Sequence, residues 1–268
     1  MCFLLFVWRI FYKGGALNFA KSLRKVIEKH GGKVLLKHKV DEILVENGEV
    51  RGVRVGEKVF KSRIIVANIN AKTTFLELVG EDKLSREFIE YIKSLKMSPS
   101  CFMVFLGVDM DLSTYPTIIQ NLDEKYGIII NSNADPTLAP EGKASLTILT
   151  LANYRDFPNK GTKEYLEKKK AFVNKLIKKA ERIIPGLSKH IIVIDAATPK
   201  TFEEYTFMPE GAIYAFDQSI DTKRPYFKTP IKDLYLASAS TFPGGGIEAV
   251  VISGIICAND ICGWKIPK

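Results

Sequence analysis

The most constraining feature of the chain is a run near its end, residues 233 to 260, which reads DLYLASASTFPGGGIEAVVISGIICAND. Its opening, Leu234 to Ala237, has the length and residue types of a strand, and three glycines follow Pro243. From Ile247 to Cys262 nearly every residue is apolar or small. The run therefore predicts a strand, a tight turn and a helix that is apolar on all sides and buried against a sheet.

A glycine-rich turn before a helix presents unpaired backbone N–H groups and the positive end of the helix dipole. Such a turn favours the binding of an anion. A P-loop, however, needs Lys and Ser or Thr after its last glycine, and Ile247 and Glu248 stand there. The donors also suit the pyrimidine edge of a flavin, where negative charge develops on reduction. A tightly packed strand, turn and helix without a ligand is an equally good interpretation of this pattern alone.

The stretch LYLASASTFPGGGIEAVVISG resembles the C-terminal flavin-binding signature of the phytoene desaturase, carotene isomerase and retinol saturase group, within the flavin-containing amine oxidase superfamily. The resemblance implies FAD as the cofactor. It also assigns residues by position. Those near the ribityl and pyrophosphate portion are Ser238, Ala239 and Ser240, and those near the isoalloxazine ring are Gly245, Gly246 and Ile247.

A second segment, near the start of the chain, resembles the same group. A glycine pair at Gly14 and Gly15 precedes an amphipathic helical pattern that stops at His30. The side chains expected to face inward on this helix are Leu17, Ala20, Leu23, Val26 and Ile27. In the group, the residue just after the next strand lies over the adenine of FAD, and the resemblance assigns Val40 to that position.

The strands of this segment are predicted from alternation and turn residues. Lys33 to Leu36 and Val40 to Glu46 read as strands, and Asn47-Gly48 favours a hairpin because both residues accept a positive φ. Val59 to Asn68 is predicted as one further strand, suited to the middle of a sheet.

Between the two segments, Ala71 to Thr229 predicts a body of mixed helices and strands, with strands at Cys101 to Val108, Gly127 to Asn131 and Ala144 to Leu151. Thr162 is predicted to cap a long helix that runs to Ile184. Within it, TPKTFEEYTFMPEGAIYAF resembles the stretch that lines the substrate channel in the same group. The substrate-contacting residues implied are Thr198, Pro199, Phe202, Tyr205 and Thr206. From the residues alone, a packed loop with core aromatics is the commoner outcome, and that interpretation stays open.

Composition excludes several functional classes. The 268 residues are 46% hydrophobic and 26% charged, which is enough for a substantial core. The net charge of +9 is spread over Lys/Glu-rich helices without a nucleic-acid motif, so no nucleic-acid partner is expected. Four cysteines show no paired spacing, which predicts no metal site and fits a reducing cytoplasm. No Ser/His/Asp or Cys/His set is present, and the catalytic residues stay unassigned.

The opening residues, MCFLLFVWRIF, are apolar over too few positions for a membrane span and lack a signal leader. They are predicted to be buried. Peripheral contact with a membrane surface is the alternative, since Trp8 and Lys13 lie beside the apolar run.

The group's chains open with a strand, a G-x-G-x-x-G turn, a helix and an acidic residue, and no such unit occurs in this sequence. The expected fold class is therefore an α/β, Rossmann-like FAD/NAD(P)-binding flavoenzyme fold that lacks its N-terminal dinucleotide-binding βαβ unit. Its substrate domain is an α+β body of mixed sheet and helix. The expected domains are a partial FAD-binding segment (1–70), a substrate-binding domain (71–230) and a C-terminal FAD-binding strand, turn and helix (231–268).

The expected function is that of an FAD-dependent oxidoreductase, which moves a hydride between flavin and an apolar polyene or isoprenoid. The absent unit predicts an incomplete or two-part enzyme, completed by a separate chain. A non-catalytic binding or scaffold protein on the same fold is the alternative. Three departures from the group's pattern motivate it: Ser238 and Ala249 stand where glycine is usual, and Ile255 stands where Arg is common.

Overall fold

The structure, a computed structural model, describes residues 13 to 263, and the chain divides into two compact units. The first unit comprises Met1–Leu36, Phe102–Thr150 and Leu166–Ala196. The second comprises Lys37–Cys101, Leu151–Tyr165 and Ala197–Lys268. The apolar opening at residues 1 to 11 lies outside the described residues and stays a prediction, as does the division at residues 70 and 230.

The helices and strands follow one another in a mixed order. The helices are α1 (Gly15–Lys29), α2 (Arg86–Ser94), α3 (Asn131–Ala134), α4 (Lys163–Glu181), α5 (Pro199–Thr206) and α6 (Ile247–Ile261), with a π-helical stretch at Thr73–Gly80. The strands are β1 (Glu42–Glu46), β2 (Glu49–Val55), β3 (Lys58–Lys61), β4 (Ile65–Ala67), β5 (Ser100–Val108), β6 (Ile118–Asn121), β7 (Tyr126–Ile130), β8 (Ala144–Ala152), β9 (Ile191–Ala197) and β10 (Leu234–Leu236).

The first unit holds most of a five-stranded sheet with the order β6-β7-β8-β5-β9. Strand β7 pairs antiparallel with β6 on one side and with β8 on the other. Alternate residues of β7 are buried, namely Tyr126, Ile128 and Ile130, as the period of two in a half-buried strand requires. The predicted strands of this region are confirmed, and so is the cap of α4, where Thr162 Oγ1 accepts a hydrogen bond from the N–H of Tyr165 at 3.2 Å.

Helix α1 forms where it was predicted, but the expectation that its apolar face points inward is wrong. Leu17, Leu23, Val26 and Ile27 are between 48% and 64% exposed, and Ala20 is exposed as well. The predicted strand at residues 33 to 36 is also wrong, because no described segment pairs with it. Both errors have one physical cause. Periodicity identifies an apolar face, but it does not identify the residues that cover that face.

In the second unit the hairpin prediction is confirmed. Asn47 and Gly48 have φ values of 51° and 75° and join β1 to the antiparallel β2. The single strand predicted from Val59 to Asn68 is instead two strands, β3 and β4. The extended backbone is interrupted at Ser62, whose hydroxyl donates a hydrogen bond to the carbonyl of Ile64 at 2.6 Å.

The core of the second unit lies between the hairpin, the π-helical stretch, α2 and β10. Strands β4 and β10 pair in parallel, with Ile65 opposite Leu234 and Ala67 opposite Leu236. Leu234 and Leu236 are both buried. The prediction that α6 is buried on all sides is wrong, because the helix buries only Ser253 and Cys257 among the described residues. Its apolar residues Ile247, Val251, Ile252 and Ile255 are between 42% and 52% exposed.

Candidate functional site

The run at residues 233 to 260 forms the predicted strand, turn and helix. Strand β10 ends at Leu236, the glycine turn occupies residues 243 to 246, and α6 begins at Ile247. All of it lies within the second unit. The turn thus follows the carboxyl end of a parallel strand, where α/β folds place their ligand sites.

A buried network of hydroxyl groups fixes the chain between β10 and the turn. Ser238 Oγ accepts from the N–H of Ser240 at 3.1 Å, and Ser240 Oγ accepts from the N–H of Ala71 at 3.0 Å. Thr241 Oγ1 donates to the carbonyl of Ser238 at 3.0 Å and lies 2.8 Å from Ser253 Oγ on α6. These hydroxyls are therefore engaged within the protein, and they anchor the start of the turn to the helix.

The three residues assigned by resemblance to the ribityl and pyrophosphate portion differ in accessibility. Ser238 and Ser240 are buried, whereas Ala239 is half-buried. Because the two hydroxyls already have partners in the protein, a ligand here would meet the backbone and the methyl group of Ala239 rather than the serine side chains.

The glycine turn has a packed side and an open side. A Cβ atom built on Gly244 would lie 3.0 Å from Gln218 Oε1 and 3.3 Å from Arg224 Nε, and one built on Gly245 would lie 2.8 Å from Tyr214 Cα. Gly246, with φ of 116°, has no atom of the other described residues within 4 Å of its Cβ position. Glycines 244 and 245 are therefore required by close packing beneath the turn, and Gly246 by its backbone conformation.

The open side of the turn suits a flat, electron-rich ligand edge. Within residues 13 to 263 no side chain caps the first turn of α6, and Gly246 and Ile247 are both exposed. The uncapped N–H groups at the start of a helix favour negative charge. The exposed backbone at Gly246 and Ile247 thus has the chemistry to hold the edge of a flavin ring. The assignment of Gly245, Gly246 and Ile247 to the isoalloxazine ring stays a prediction.

A cavity of about 710 Å³ in the second unit contains the position assigned to the adenine. Val40 lines it beside β1, and Val66 and Ala67 line it from β4. Acidic side chains reach it from α5 and the π-helical stretch, at Glu203 and Glu77. The cavity is mainly apolar with a few polar groups, which is typical of a small-molecule site.

The five residues assigned to the substrate do not share one surface. Thr198 is the N-cap of α5, where it makes a capping box with Thr201, and its hydroxyl lies 3.1 Å from Tyr165 Oη. Thr198 and Pro199 are buried and Phe202 is half-buried. Tyr205 is 77% exposed and Thr206 is exposed as well. Only Phe202, Tyr205 and Thr206 are thus accessible to a ligand.

Sequence reasoning missed two groups of polar residues near these sites. Tyr154 Oη lies 2.5 Å from Glu203 Oε2, although the two residues are 49 positions apart. Gln218 and Arg224 pack against the glycine turn at Gly244. Arg224 Nη2 also donates a hydrogen bond to the carbonyl of Asp217 at 2.8 Å. No local pattern links either group to its partner, so only the tertiary structure could reveal them.

Burial and nearby charge shift a few pKa values in the second unit. Burial lowers the pKa of the Lys72 ammonium, with an opposing contribution from Glu210. Burial and Asp260 raise the pKa of the Cys257 thiol. Over residues 13 to 263, no group of three or more His, Cys, Asp or Glu side chains is arranged to hold a metal ion. In the same part of the chain, no helix has the length and apolarity needed to cross a membrane.

Comparison with known proteins identifies the family. Residues 2 to 262 match the family of flavin containing amine oxidoreductases, and the chain belongs to that family. The membership confirms the family resemblance and FAD as the predicted cofactor.

The individual relatives agree with this assignment. The chain is 32% identical over 266 residues to the chloroplastic prolycopene isomerase of Daucus carota, a match that covers 92% of this chain and 43% of the relative. It is 26% identical over 273 residues to the neurosporene-forming phytoene desaturase of Cereibacter sphaeroides, covering 92% and 52% of the two chains. The chain thus spans about half the length of these curated relatives.

Among solved structures, an oxidoreductase from Methanosarcina mazei superposes with a TM-score of 0.71 at 19% identity, over 92% of this chain and 55% of that one. This likeness shows a shared fold of helices and mixed sheets.

Proposed function

We propose that this chain is the FAD- and substrate-binding part of an FAD-dependent oxidoreductase that acts on an apolar polyene or other isoprenoid. The observation that carries the proposal is the open glycine turn at Gly246, set at the uncapped start of α6 in a member of a flavin-containing family. The names of the Daucus carota and Cereibacter sphaeroides relatives, a prolycopene isomerase and a phytoene desaturase, support the substrate class.

The flavin, when bound, supplies hydride transfer to or from a carbon of the polyene. The chain's own contribution is orientation and electrostatics. The N–H groups at the start of α6 stabilise negative charge at the ring edge, and they are preorganised because Thr241 and Ser253 bind the turn to the helix. In the same proposal, Val40 contacts the adenine and Ala239 the ribityl portion.

The polyene in this proposal lies against α5. Phe202 and Tyr205 offer apolar ring surface, and Thr206 borders them. Thr198 and Pro199 act indirectly, since the cap at Thr198 sets where α5 begins. Peripheral membrane contact, from which an apolar substrate would enter, is supported by the exposed apolar residues of α1 and by the lysines on the same helix.

A dinucleotide-binding βαβ unit, of the kind with which the group's chains open, completes the FAD site in this proposal. The residues given hold no G-x-G-x-x-G turn, and the chain spans about half the length of its relatives. The second candidate function is a non-catalytic binding or scaffold protein on the same fold. The inward hydroxyls of Ser238 and Ser240 favour it, since they offer nothing to a ligand.

The test is turnover by the flavin-loaded protein. Under anaerobic conditions, poly-cis and partly saturated C40 isoprenoids are incubated with the protein and either an artificial electron acceptor or a reductant of the flavin, and the products are separated by liquid chromatography. We expect a change in the number or geometry of the double bonds. Tyr205→Ala should raise KM, and Tyr226→Ala, which alters an exposed tyrosine outside the site, should leave it unchanged. If a flavin-loaded protein forms no product, the result would contradict the oxidoreductase function and favour the non-catalytic scaffold function.

A further inference from the structure

An arginine packs against the closed side of the glycine turn. Arg224 is half-buried, and its Nε and Cζ atoms would lie 3.3 and 3.5 Å from a Cβ atom built on Gly244. Gly244 is itself buried and has no side chain to hold the guanidinium away, so the group approaches the backbone of the turn closely. Because an arginine stays protonated in a protein, the turn has a fixed positive charge on this side.

The hydrogen bonds of Arg224 use only part of its five N–H donors. Nη2 donates to the carbonyl of Asp217 at 2.8 Å. Nε is buried and has no hydrogen-bond partner within residues 13 to 263. The Asp217 carboxylate accepts from Ser219 instead, at 3.2 Å from both the N–H and the hydroxyl. The loop from residue 217 to residue 224 therefore fixes the guanidinium in place and leaves its charge uncompensated.

A partly buried charge of this kind is costly unless a negative group comes near it. The open side of the same turn, at Gly246 and Ile247, is exposed and suits the pyrimidine edge of a flavin. The Cα atoms of Gly244 and Gly246 are two peptide units apart, at most about 7.6 Å. Charges at such a range still interact appreciably near a protein surface, where the effective dielectric constant is about 20 rather than about 80.

One acidic side chain near the turn has the opposite charge. Glu248 lies in the first turn of α6 and is exposed, whereas Arg224 is half-buried. Salt and water screen an exposed charge more strongly than a partly buried one. Arg224 thus outweighs Glu248 at the backbone of the turn, and its charge has the same sign as the N-terminal end of the helix dipole.

We propose that Arg224 supplies the positive charge that stabilises the pyrimidine edge of a bound flavin as that edge becomes negative on reduction, and that it thereby raises the reduction potential of the flavin. The inference rests on the proposed FAD site and adds a residue that lies outside the turn. Arg224 acts through the backbone of Gly244 and is therefore a positioning residue. Its charge is in place before the flavin is reduced, so no reorganisation is needed at that moment.

The test measures two properties of FAD bound to the full chain. The first is the midpoint reduction potential. The second is the dissociation constant of sulfite, which adds to the oxidised flavin ring and leaves negative charge on its pyrimidine edge. A positive charge near that edge should strengthen sulfite binding, so both readouts report the same electrostatic effect without any polyene.

Three variants separate charge from structure. Arg224→Gln removes the charge and keeps an N–H donor for the carbonyl of Asp217, whereas Arg224→Lys keeps the charge. Lys223→Gln is the matched control, because it removes one positive charge from the neighbouring residue, which is exposed. We expect Arg224→Gln to lower the potential and to weaken sulfite binding about tenfold. Arg224→Lys should stay near the wild type, and so should Lys223→Gln, since solvent screens its charge.

Four results would overturn the proposal. They are sulfite binding by Arg224→Gln that equals the wild type, an equal loss in Arg224→Lys, an equal loss in Lys223→Gln, and weaker FAD binding with an unchanged potential, which would pair the charge with the FAD phosphates. If Arg224→Gln does not fold, as judged by circular dichroism, Arg224→Met replaces it in the same comparison with Arg224→Lys.

Failure of this inference can be told apart from failure of the proposed function. A potential that depends on Arg224 in a protein that turns over no polyene would contradict the proposed reaction alone. Turnover by a protein whose potential does not depend on Arg224 would overturn this inference alone. A wild-type chain that binds no FAD would contradict both.

Discussion

The contact between Thr241 and Ser253 should act as a coupled pair that holds the glycine turn on α6. Both residues are 1% exposed, and their hydroxyl oxygens are 2.8 Å apart. Thr241→Val leaves the buried Ser253 hydroxyl without this partner, which costs about 1–3 kcal/mol of unfolding free energy. Ser253→Ala is milder, about 0.5–1.5 kcal/mol, because Thr241 still donates to the carbonyl of Ser238.

The double variant is the informative one. With both hydroxyls removed no polar group is orphaned, so we expect it to be no less stable than Thr241→Val alone. The coupling free energy should then be about 1 kcal/mol, within the range of residues in direct contact. Urea unfolding followed by far-UV circular dichroism measures all four proteins, and equal m values are expected.

An exposed pair in the same unit provides the matched control. Ser219 Oγ lies 3.0 Å from Thr222 Oγ1 at the surface, where water can replace either group. The cycle of Ser219→Ala and Thr222→Val should therefore give a coupling near zero. The idea that the buried contact holds the turn on α6 would be refuted by either of two results. One is that the changes in unfolding free energy at Thr241 and Ser253 are additive, and the other is that the exposed pair gives an equal coupling free energy.

Three further predictions concern other parts of the chain. Burial raises the pKa of Cys101 to about 11, so at pH 8 iodoacetamide should modify the exposed Cys262 and spare Cys101, as read by peptide mass spectrometry; rapid labelling of Cys101 would contradict its burial. Gly245→Ala should destabilise the chain, because the new Cβ would meet the backbone beneath the turn, whereas Gly254→Ala in open space on α6 should be neutral or stabilise by up to about 1 kcal/mol, both measured by thermal unfolding. Hydrogen bonds from the backbone of residue 14 and from residue 137 lower the pKa of Asp135, so its contribution to stability is present above the unfolded pKa of about 3.9 and is lost as pH falls through the lower folded value. The difference in unfolding free energy between the wild type and Asp135→Asn should accordingly shrink as the pH falls from about 5 to about 2. A difference that stays constant over this range would argue against these hydrogen bonds.

Local signals predicted the elements of the fold well. The hairpin at Asn47-Gly48 and the cap at Thr162 depend on backbone conformations that the residues themselves favour. The strand, turn and helix from Leu234 onward also formed as predicted, because glycine and proline mark the turn within a few residues.

Burial was predicted less well, and for a physical reason. The apolar residues of α1 and α6 indicate faces that can be covered, but the sequence does not say which segment covers them. The support of the turn by Arg224 and the pairing of Tyr154 with Glu203 depend on residues distant in the chain. Such contacts are set by the tertiary fold, and periodicity carries no information about them.

The visible absorption spectrum of the protein, purified after incubation with FAD, tests the central claim most directly. We expect a bound-flavin spectrum in the wild type and its loss in Gly246→Trp, because the new ring fills the open side of the turn. Gly263→Trp is the matched control, since Gly263 lies at the other end of α6 with a positive φ and open surroundings. It should retain the flavin. A colourless wild type, or flavin held equally by both variants, would contradict a cofactor site at this turn.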